Sequence, residues 1–230
     1  GKCRECAPVA ANTVSWWPGE NNALDVIGTN NGTLVNGAGF AIGQVGKAFS
    51  FDGVNDYVEI PDSQSLDLTR ISLTFWFKLN EVNRIHELVN KFGPQGSNTI
   101  SYGAEIGTDN KVCFRISTDG TLGGLTDLCS ATALTTDVWY HFAGTYDGST
   151  MNLYINGAND GSVSKSGNIF LSAENLKLGT YGYHPWYLSG YLDEVDIVGR
   201  AISPAEVQAI YVAGNAGKCV ANCAQPPANL

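Results

Sequence analysis

One short aromatic segment contains the side chains of this chain that are best suited to binding a ligand. Residues 180–188 read Thr-Tyr-Gly-Tyr-His-Pro-Trp-Tyr-Leu, with four aromatic residues and one histidine. These positions do not alternate as those of a core strand would, and Pro185 argues against a central strand. The sequence therefore predicts an aromatic loop between Gly179 and Gly190.

The side chains in this loop suit carbohydrate recognition. Exposed aromatic rings stack on the apolar faces of sugar rings, and their polar tips add hydrogen bonds. Trp186 is the best candidate for a stacking platform, with Tyr183 and Tyr187 beside it. His184 is a candidate hydrogen-bond donor. The alternative is that Trp186 covers the edge of a sheet as ordinary packing, since tryptophan is usually well buried.

Composition favours short strands with many turns and excludes two classes of partner. Of the 230 residues, 43% are hydrophobic, only 15% are charged and 27 are glycine. A net charge of −9 argues against nucleic acid and anionic membranes, because phosphate groups are bound by clustered Lys and Arg. No segment approaches the roughly 20 apolar residues that a membrane-spanning helix needs, so no membrane insertion is expected.

The cysteines predict disulfides and therefore a secreted protein. There are six, an even number, and Cys113 and Cys129 flank a glycine-rich return that would bring them together in a hairpin. The other four are expected to cross-link the two ends of the chain, in a pairing that the sequence leaves open: Cys3, Cys6, Cys219 and Cys223. Their spacing also allows a four-cysteine zinc site as the alternative.

Alternating and turn-forming segments predict an all-β domain with one helix. Residues 71–79 alternate cleanly between apolar and polar positions, and Asn156-Gly157 is a hairpin signal. Residues 203–206 read Ser-Pro-Ala-Glu, a capping box with proline at the first helical position. The expected organisation is a tether at 1–12, a domain at 13–214 and a tail at 215–230. The tail contains a Pro-Pro linker, which suggests a domain of a longer, multidomain chain. Because the chain begins Gly1-Lys2-Cys3, we expect that any signal peptide has been removed or excluded.

A series of motifs, taken in order, resembles one family. The motifs are Trp-Trp-Pro-Gly-Glu-Asn-Asn at 16–22, Asn-Asn-Gly-Thr-Leu at 30–34, Gly-Lys-Ala-Phe-Ser-Phe-Asp-Gly at 46–53, Ile-Ser-Leu-Thr-Phe-Trp-Phe at 71–77, Trp-Tyr-His-Phe-Ala-Gly-Thr-Tyr-Asp-Gly at 139–148, Leu-Tyr-Ile-Asn-Gly at 153–157, Gly-Tyr-Leu-Asp-Glu-Val at 190–195 and Arg-Ala-Ile-Ser-Pro-Ala-Glu at 200–206. Residues 14–213 thus resemble a laminin-G-like domain of the concanavalin A-like lectin/glucanase superfamily. The resemblance implies an all-β fold: a two-sheet antiparallel jelly-roll β-sandwich with one short C-terminal helix.

The resemblance also implies where ions and ligands would bind. Members of the superfamily often hold a structural calcium where an N-terminal loop meets the last strand. The matching positions here are Asp25, Asn30, Asn31 and Asp193, with Asp52 as a possible extra ligand. The alternative is that the loop residues only form Asx turns. One sheet of the fold is concave and usually binds the ligand, and residues 86–91 fall on one of its strands. Three basic residues there are candidate partners of an acidic sugar: Arg84, His86 and Lys91.

The resemblance to this superfamily also argues against catalysis. Retaining glucanases of this superfamily use Glu-x-Asp-x-x-Glu, whereas Glu194-Val-Asp196-Ile-Val is followed here by Gly199, so the carboxylate pair is incomplete. Polysaccharide lyases of this fold use Tyr or His with Arg or Lys. Residues of those types are available on neighbouring predicted strands: Tyr102, His86, Arg84, Lys91 and Arg115.

These observations favour a secreted, non-catalytic, lectin-like module that binds a polysaccharide or other glycan, is stabilised by calcium and disulfides, and belongs to a larger extracellular or cell-surface protein. An adhesion or protein-interaction domain on the same fold is the alternative, and a lyase or glycoside hydrolase is disfavoured.

Overall fold

Segments with alternating apolar residues form strands in this protein, because successive side chains of a strand point to opposite faces of its sheet. A computed structural model describes residues 6–94 and 96–219. Its strands, in chain order, are β1 Ala7–Pro8, β2 Thr13–Trp17, β3 Thr33–Val35, β4 Gly39–Ile42, β5 Lys47–Asp52, β6 Tyr57–Ile60, β7 Ile71–Leu79, β8 His86–Asn90, β9 Tyr102–Ile106, β10 Val112–Ser117, β11 Leu125–Cys129, β12 Tyr140–Tyr146, β13 Thr150–Ile155, β14 Ala158–Ser164, β15 Leu176–Leu178, β16 Ser189–Val198 and β17 Lys218–Cys219. The helix α1 covers Pro204–Ala213.

Two antiparallel sheets form a jelly-roll sandwich, as the sequence predicts. The seven-stranded sheet has the order β11-β10-β9-β8-β15-β6-β3. The eight-stranded sheet has the order β14-β13-β12-β7-β16-β5-β4, and β2 also pairs with β16. Neighbouring strands in space are therefore often distant in sequence, so β15 and β16 bring residues near the C-terminus into the middle of both sheets.

The core lies between the sheets and is rich in phenylalanine. Phe75 stacks on Phe142 within the eight-stranded sheet, with ring centroids 4.7 Å apart. Phe114 of the opposite sheet meets Phe142 edge-on at 6.3 Å. Gly144 permits this close packing, because a Cβ atom at that position would lie 2.5 Å from the ring of Phe114. The aromatic contacts thus fix the spacing of the two sheets at their centre.

The helix α1 covers the outer face of the eight-stranded sheet. Ser203 and Glu206 form the predicted capping box, in which each side chain bonds the other's backbone N–H. Val207 and Ile210 are buried in a second hydrophobic cluster. Tyr211 stacks on Trp76 of β7 with centroids 5.8 Å apart. Because β7 is an inner strand of the eight-stranded sheet, the helix packs on the face of the sheet and not at its edge.

Two disulfides join described cysteines. Cys113 and Cys129 lie directly opposite each other on β10 and β11 and are bonded, in agreement with the predicted hairpin. Cys6 is bonded to Cys219 across a sequence separation of 213 residues. This bond corrects the zinc alternative, because thiols joined in a disulfide cannot ligate a metal as thiolates. Cys3 and Cys223 lie outside the described residues.

The disulfide accompanies a short parallel pairing of β1 with β17. The described parts of the expected tether and tail therefore form a two-stranded ribbon. Ala7 of this ribbon is buried in the same cluster as the inner face of α1. The two ends of the described chain are thus packed onto the domain.

Buried His141 predicts a specific loss of stability in acid. Its ring is fully buried against Trp76 at a centroid distance of 5.1 Å, and neither ring nitrogen has a hydrogen-bond partner among the described residues. Burial, with a smaller effect of the Lys218 charge, lowers the pKa of His141 to about 3. The unfolded chain binds a proton near pH 6.5 and the folded chain does not, so stability falls as the pH drops from 6.5 towards 3.

We expect His141→Phe to remove about 3 kcal/mol of the stability loss between pH 7 and pH 4. Urea unfolding of both proteins at the two pH values measures this difference. Burial raises the pKa of Asp193 to about 8, so this group makes the folded state more stable as the pH falls, opposite to the effect of His141. Asp193 is present in both proteins, so its contribution cancels in the difference between them. Equal pH dependence in the two proteins would contradict the assignment of a neutral, buried imidazole.

Candidate functional site

The aromatic loop begins directly after β15 of the seven-stranded sheet, and its two ends lie close together. Gly179, which follows β15, donates its backbone N–H to the carbonyl of Leu88 on β8 at 2.8 Å. Leu188 donates its N–H to the carbonyl of Gly179 at 2.9 Å. The two ends of the loop are therefore joined by a backbone hydrogen bond, and the chain then enters β16 of the eight-stranded sheet. Gly179 has the positive φ of +89° that this reversal requires. Residues 180–187 form the predicted non-strand segment.

The rings of the loop pack on one another. His184 and Trp186 are stacked with ring centroids 4.4 Å apart and an interplanar angle of 24°. Tyr181 lies 5.6 Å from His184 and 6.2 Å from Trp186. Tyr183 is 41% exposed and donates its hydroxyl to Glu174 at 3.2 Å. The stack is thus half-buried and already ordered, so little side-chain entropy remains to be lost when a ligand binds.

A cavity of about 180 Å³ lies beside this stack. Its walls come from the aromatic loop, from the segment that follows β8 and from polar residues of the sheet: Tyr181, His184, Trp186, Phe92, Gly93, Ile100, Leu122, Glu87 and Arg115. Aromatic walls with a few convergent polar groups are typical of ligand sites. The structure therefore brings Trp186 and His184 to one cavity, whereas Tyr183 and Tyr187 do not line it.

The polar floor of the cavity belongs to the sheet face that points away from the core. Phe114 and Ile116 are buried in the core, so Arg115 between them projects to the opposite face. Arg115 donates to Glu105 at 2.6 Å and to Asp127 at 3.1 Å. Glu87 on β8 lies directly opposite Glu105 on β9. One guanidinium thus faces three carboxylates.

Among these four charged side chains, Glu87 lacks a hydrogen-bond partner for one of its oxygens. It is fully buried, its Oε2 accepts from the Asn90 amide at 2.7 Å, and its Oε1 has no hydrogen-bond partner among the described residues. Burial, and then the charge of Glu105, raises the pKa of Glu87 well above its usual range, against the opposing effect of Arg115. A buried polar atom without a partner is costly, and a ligand hydroxyl could supply the missing hydrogen bond.

Sequence reasoning did not identify Glu87 or Glu105, and it named Arg115 only as a possible lyase residue. Glu87 is a charged residue directly before the apolar pair Leu88-Val89, which is only a weak signal that its side chain faces outward. The register of β8, β9 and β10 brings Glu87, Glu105 and Arg115 together. That register cannot be deduced from the local sequence of each strand.

The three predicted basic partners do not form one cationic surface. Lys91 is fully buried and its ammonium contacts Asp62 and the carbonyls of Ser172 and Glu174. Because these groups neutralise and hydrogen-bond the Lys91 ammonium inside the protein, Lys91 has a structural role. The expectation that it faces an acidic sugar is corrected on this ground.

His86 and Arg84 are also held by the protein. His86 is fully buried, and its Nδ1 accepts the Ser189 N–H at 3.3 Å, which leaves Nε2 to donate to the carbonyl of Glu81 at 3.1 Å. Burial, and then the Arg84 charge, lowers the pKa of His86 to about 4. Arg84 pairs with Glu81 at 2.7 Å and donates to the carbonyl of Tyr187, so it supports the end of the aromatic loop. Neither residue lines the cavity.

Tyr102 does not complete a lyase site with these residues. It is fully buried and its hydroxyl donates to the carbonyl of Leu66 at 3.1 Å. Since a catalytic tyrosine must reach a substrate proton, this position inside the core does not suit that role.

The N-terminal loop expected to hold calcium is organised by backbone N–H groups. One oxygen of Asp25 accepts from Trp16, Ile27 and Gly28 at 2.9–3.0 Å, and the other accepts from Asn30 at 3.2 Å. Asn31 accepts from the N–H of Asp25 at 3.0 Å. These contacts are the Asx-turn arrangement, and four N–H donors occupy carboxylate lone pairs that a cation would need.

Asp193 also has a different partner. Its Oδ2 accepts from the Val45 N–H at 2.8 Å, and its Oδ1 is buried without a partner. Across the described ranges, no three His, Cys, Asp or Glu side chains lie close enough to hold a metal ion. The donor sets of Asp25 and Asp193, as they stand, do not fit one calcium site.

The incomplete glucanase-like strand is not open to a substrate. The carboxylates of Glu194 and Asp196 are buried and each lies 3.4 Å from the ammonium of Lys218. They lie on the opposite sheet from the aromatic cavity.

Several solved structures share this fold at low sequence identity. The binding domain of Paraclostridial Mosquitocidal Protein 1 matches with a TM-score of 0.73 and 17% identity, covering 87% of this chain and 52% of that one. Domain 4 of AbnA, a GH43 extracellular arabinanase from Geobacillus stearothermophilus in complex with arabinotriose, matches with a TM-score of 0.70 and 18% identity, covering 89% of this chain and 98% of that one. The binding domain of botulinum neurotoxin DC in complex with SialylT matches with a TM-score of 0.71 and 12% identity, covering 87% and 50%. This chain thus spans about half of the toxin binding domains.

The family follows from a direct sequence match. No curated protein matches the chain. A laminin G family model, described as the Concanavalin A-like lectin/glucanases superfamily, matches residues 52–208, which is more than half of the chain. The chain is therefore a member of the laminin-G-like family of the concanavalin A-like lectin/glucanase superfamily.

Proposed function

We propose that this chain is a non-catalytic glycan-binding module whose ligand occupies the cavity beside the aromatic loop. The observation that supports this best is the ordered His184–Trp186 stack next to buried Glu87, whose Oε1 has no hydrogen-bond partner among the described residues. The stack offers an apolar surface for a sugar ring, and Glu87 and Arg115 offer hydrogen bonds for its hydroxyl groups.

The cavity favours a neutral sugar over an acidic one. Glu105 and Asp127 carry two negative charges against the single positive charge of Arg115, so a ligand carboxylate would meet net repulsion even when Glu87 is neutral. A volume of about 180 Å³ is also below that of sites for drug-sized molecules. We infer that one ring of a neutral glycan enters and that the rest of the glycan lies outside.

Two similar structures support a glycan as ligand class. The arabinanase domain was solved with arabinotriose, and the neurotoxin DC binding domain was solved with SialylT. Each was solved with a ligand, but this chain covers only 50% of the neurotoxin domain, and at 18% and 12% identity the likeness does not identify a shared site. The choice of a neutral ligand therefore rests on the charges of this cavity.

We propose an extracellular location within a larger protein. Disulfides such as Cys6–Cys219 persist in oxidising compartments. No helix in the part of the chain that the structure describes has the length and hydrophobicity to cross a bilayer. The toxin binding domains are about twice as long as the region they share with this chain, which fits a module used in multidomain proteins.

A protein partner is the second candidate, because one loop exposes three aliphatic side chains. Leu24, Val26 and Ile27 are 52%, 43% and 43% exposed. Neighbouring exposed aliphatic groups are common at protein interfaces. Such a partner would bind at the N-terminal loop and not at the aromatic cavity, so loss-of-binding variants separate the two functions.

The test is a binding screen of the full chain against paired neutral and acidic oligosaccharides, such as galactan and polygalacturonate fragments. We expect binding to one or more neutral glycans and no release of reaction products. Binding to acidic glycans alone would contradict the charge argument, product release would contradict a non-catalytic role, and no binding would favour the protein partner. Repeating the screen with calcium and with a chelator tests the calcium that the family resemblance implies.

A further inference from the structure

Three ionisable side chains meet in a buried site on the outer face of the eight-stranded sheet, away from the aromatic cavity. The Nζ of Lys218 lies 3.4 Å from a carboxylate oxygen of Glu194 and 3.4 Å from one of Asp196. The side chains are 2%, 5% and 1% exposed, respectively. Burying three charges is costly, and an ion pair recovers only part of that cost.

The surroundings of this triad exclude water and fix its geometry. The ring of Trp16 lies 5.0 Å from the Lys218 ammonium, which also donates to the carbonyl of Glu194 at 3.0 Å. The hydroxyl of Thr74 on β7 donates to the Oδ1 of Asp196. The amine and the Asp196 carboxyl group are therefore held in contact and cannot be separated by solvent.

The backbone conformation positions the side chains of Glu194, Asp196 and Lys218 next to one another. Glu194 and Asp196 are two residues apart on β16, and a bulge between Asp193 and Asp196 interrupts the register with β7. Glu194 has a φ of +55°, which is rare for a residue with a side chain. Lys218 begins β17, which is tied down by the neighbouring Cys6–Cys219 disulfide. Strain at Glu194 and a cross-link beside Lys218 both serve to bring the three groups together.

We propose that Lys218 and Asp196 form an intramolecular isopeptide bond, with Glu194 as the group that transfers the proton. The Lys218 Nζ lies 3.4 Å from Oδ2 of Asp196, which is bonded to the Cγ that the amine would attack, so a small movement brings the reacting atoms together. Condensation would also remove both charges of the buried ion pair, which is a driving force that an exposed pair lacks.

The reaction balances without any external reagent. Glu194 takes one proton from the Lys218 ammonium and passes it to Oδ2 of Asp196. The free amine then attacks the Cγ of Asp196, and the Nζ–Cγ bond forms. The nitrogen gives a second proton to Glu194, which delivers it to Oδ2 as the Cγ–Oδ2 bond breaks. Oδ2 leaves as water, so one ammonium and one carboxylate become one amide and one water molecule.

Asp196 is the better electrophile of the two carboxyl groups. The Thr74 hydroxyl bonds its Oδ1, where it can stabilise negative charge that develops during attack. Glu194 Oε2 has no hydrogen-bond partner among the described residues, so it is free to accept and return a proton. The product would close residues 196–218, including α1, into a covalent ring.

Mass spectrometry of the intact, reduced and denatured chain tests the proposal. We expect the measured mass to fall below the sequence mass by one water molecule. Digestion should give a branched peptide that joins the segments containing Lys218 and Asp196. A full sequence mass in soluble, folded protein would overturn the proposal, and so would a branched peptide at any other pair.

Three variants locate the bond and its mechanism. Lys218→Arg should restore the full mass, whereas loss of water by succinimide formation elsewhere would persist in this variant. Asp196→Asn should lose ammonia in place of water, since the amide nitrogen becomes the leaving group. Glu194→Gln should leave most chains uncrosslinked. If any variant fails to fold, the wild-type mass and its branched peptide decide the outcome alone.

Discussion

Replacing Trp186 with alanine is expected to weaken glycan binding by about thirty-fold, which corresponds to about 2 kcal/mol. Trp186 forms one wall of the cavity and stacks on His184, so its removal deletes the apolar platform and loosens the neighbouring ring. Titration calorimetry with a neutral oligosaccharide that binds the wild-type chain measures the change. Because a backbone hydrogen bond between Leu188 and Gly179 joins the two ends of the loop, the fold should persist.

Trp139→Ala provides the matched control. Trp139 is also half-buried and lies directly before β12 of the eight-stranded sheet. Its ring lies 6.1 Å from that of Tyr191 and 5.3 Å from the Lys78 ammonium. It does not line the aromatic cavity. We expect its affinity for the same glycan to equal that of the wild type. Equal losses in both variants would show that general destabilisation, and not ring stacking, reduces binding.

Removing the Cys6–Cys219 disulfide should lower the free energy of unfolding by about 3–5 kcal/mol. The bond closes a loop of 213 residues, so the unfolded chain gains much conformational freedom when it is absent. For a domain of this size the loss corresponds to a fall in Tm of about 10 °C. Urea unfolding of Cys6→Ser/Cys219→Ser measures it, in a background where Cys3 and Cys223 are also serine so that no other terminal pair can form.

The second described disulfide supplies the comparison. Cys113 and Cys129 are separated by 16 residues, so the chain-entropy model assigns their bond about 3 kcal/mol. The terminal pair should therefore have the larger effect. If removal of the terminal pair changed stability less than removal of the hairpin pair, loop closure would not be its main contribution. Its effect would then be confined to the β1–β17 ribbon.

Much of the fold could be predicted because its signals are local. The alternation of residues 71–79 marks β7, the Ser203–Glu206 capping box marks α1, and the Asn156-Gly157 turn joins β13 to β14. Each depends on side chains close in sequence. No alternating pattern marks β4 or β14, because their residues are exposed or only partly buried.

The site could be predicted only in part, for a physical reason. The aromatic loop is one continuous segment, so its composition identifies it without knowledge of the fold. The Glu87, Glu105 and Arg115 group comes from three strands, and the register of the sheet brings it together. Strand register depends on long-range pairing, which one sequence does not specify locally.

Lys91 illustrates the opposite error. A basic residue on a predicted ligand-carrying strand suggested a cationic contact for an acidic sugar. In the structure its side chain points into the protein, where Asp62 and two carbonyls bind the ammonium. Charged residues are seldom fully buried, so burial was not the expected outcome. The same correction shifts the proposed ligand from an acidic to a neutral glycan.

The most direct test of the account is to map the bound glycan by NMR. Amide chemical shifts would be followed while a neutral oligosaccharide is added to the full chain. We expect the changes to concentrate in residues 180–188 and at Glu87 and Arg115, and to be much smaller in the Trp186→Ala variant at the same glycan concentration. Changes confined to the eight-stranded sheet or to the N-terminal loop, with none at the aromatic cavity, would contradict it.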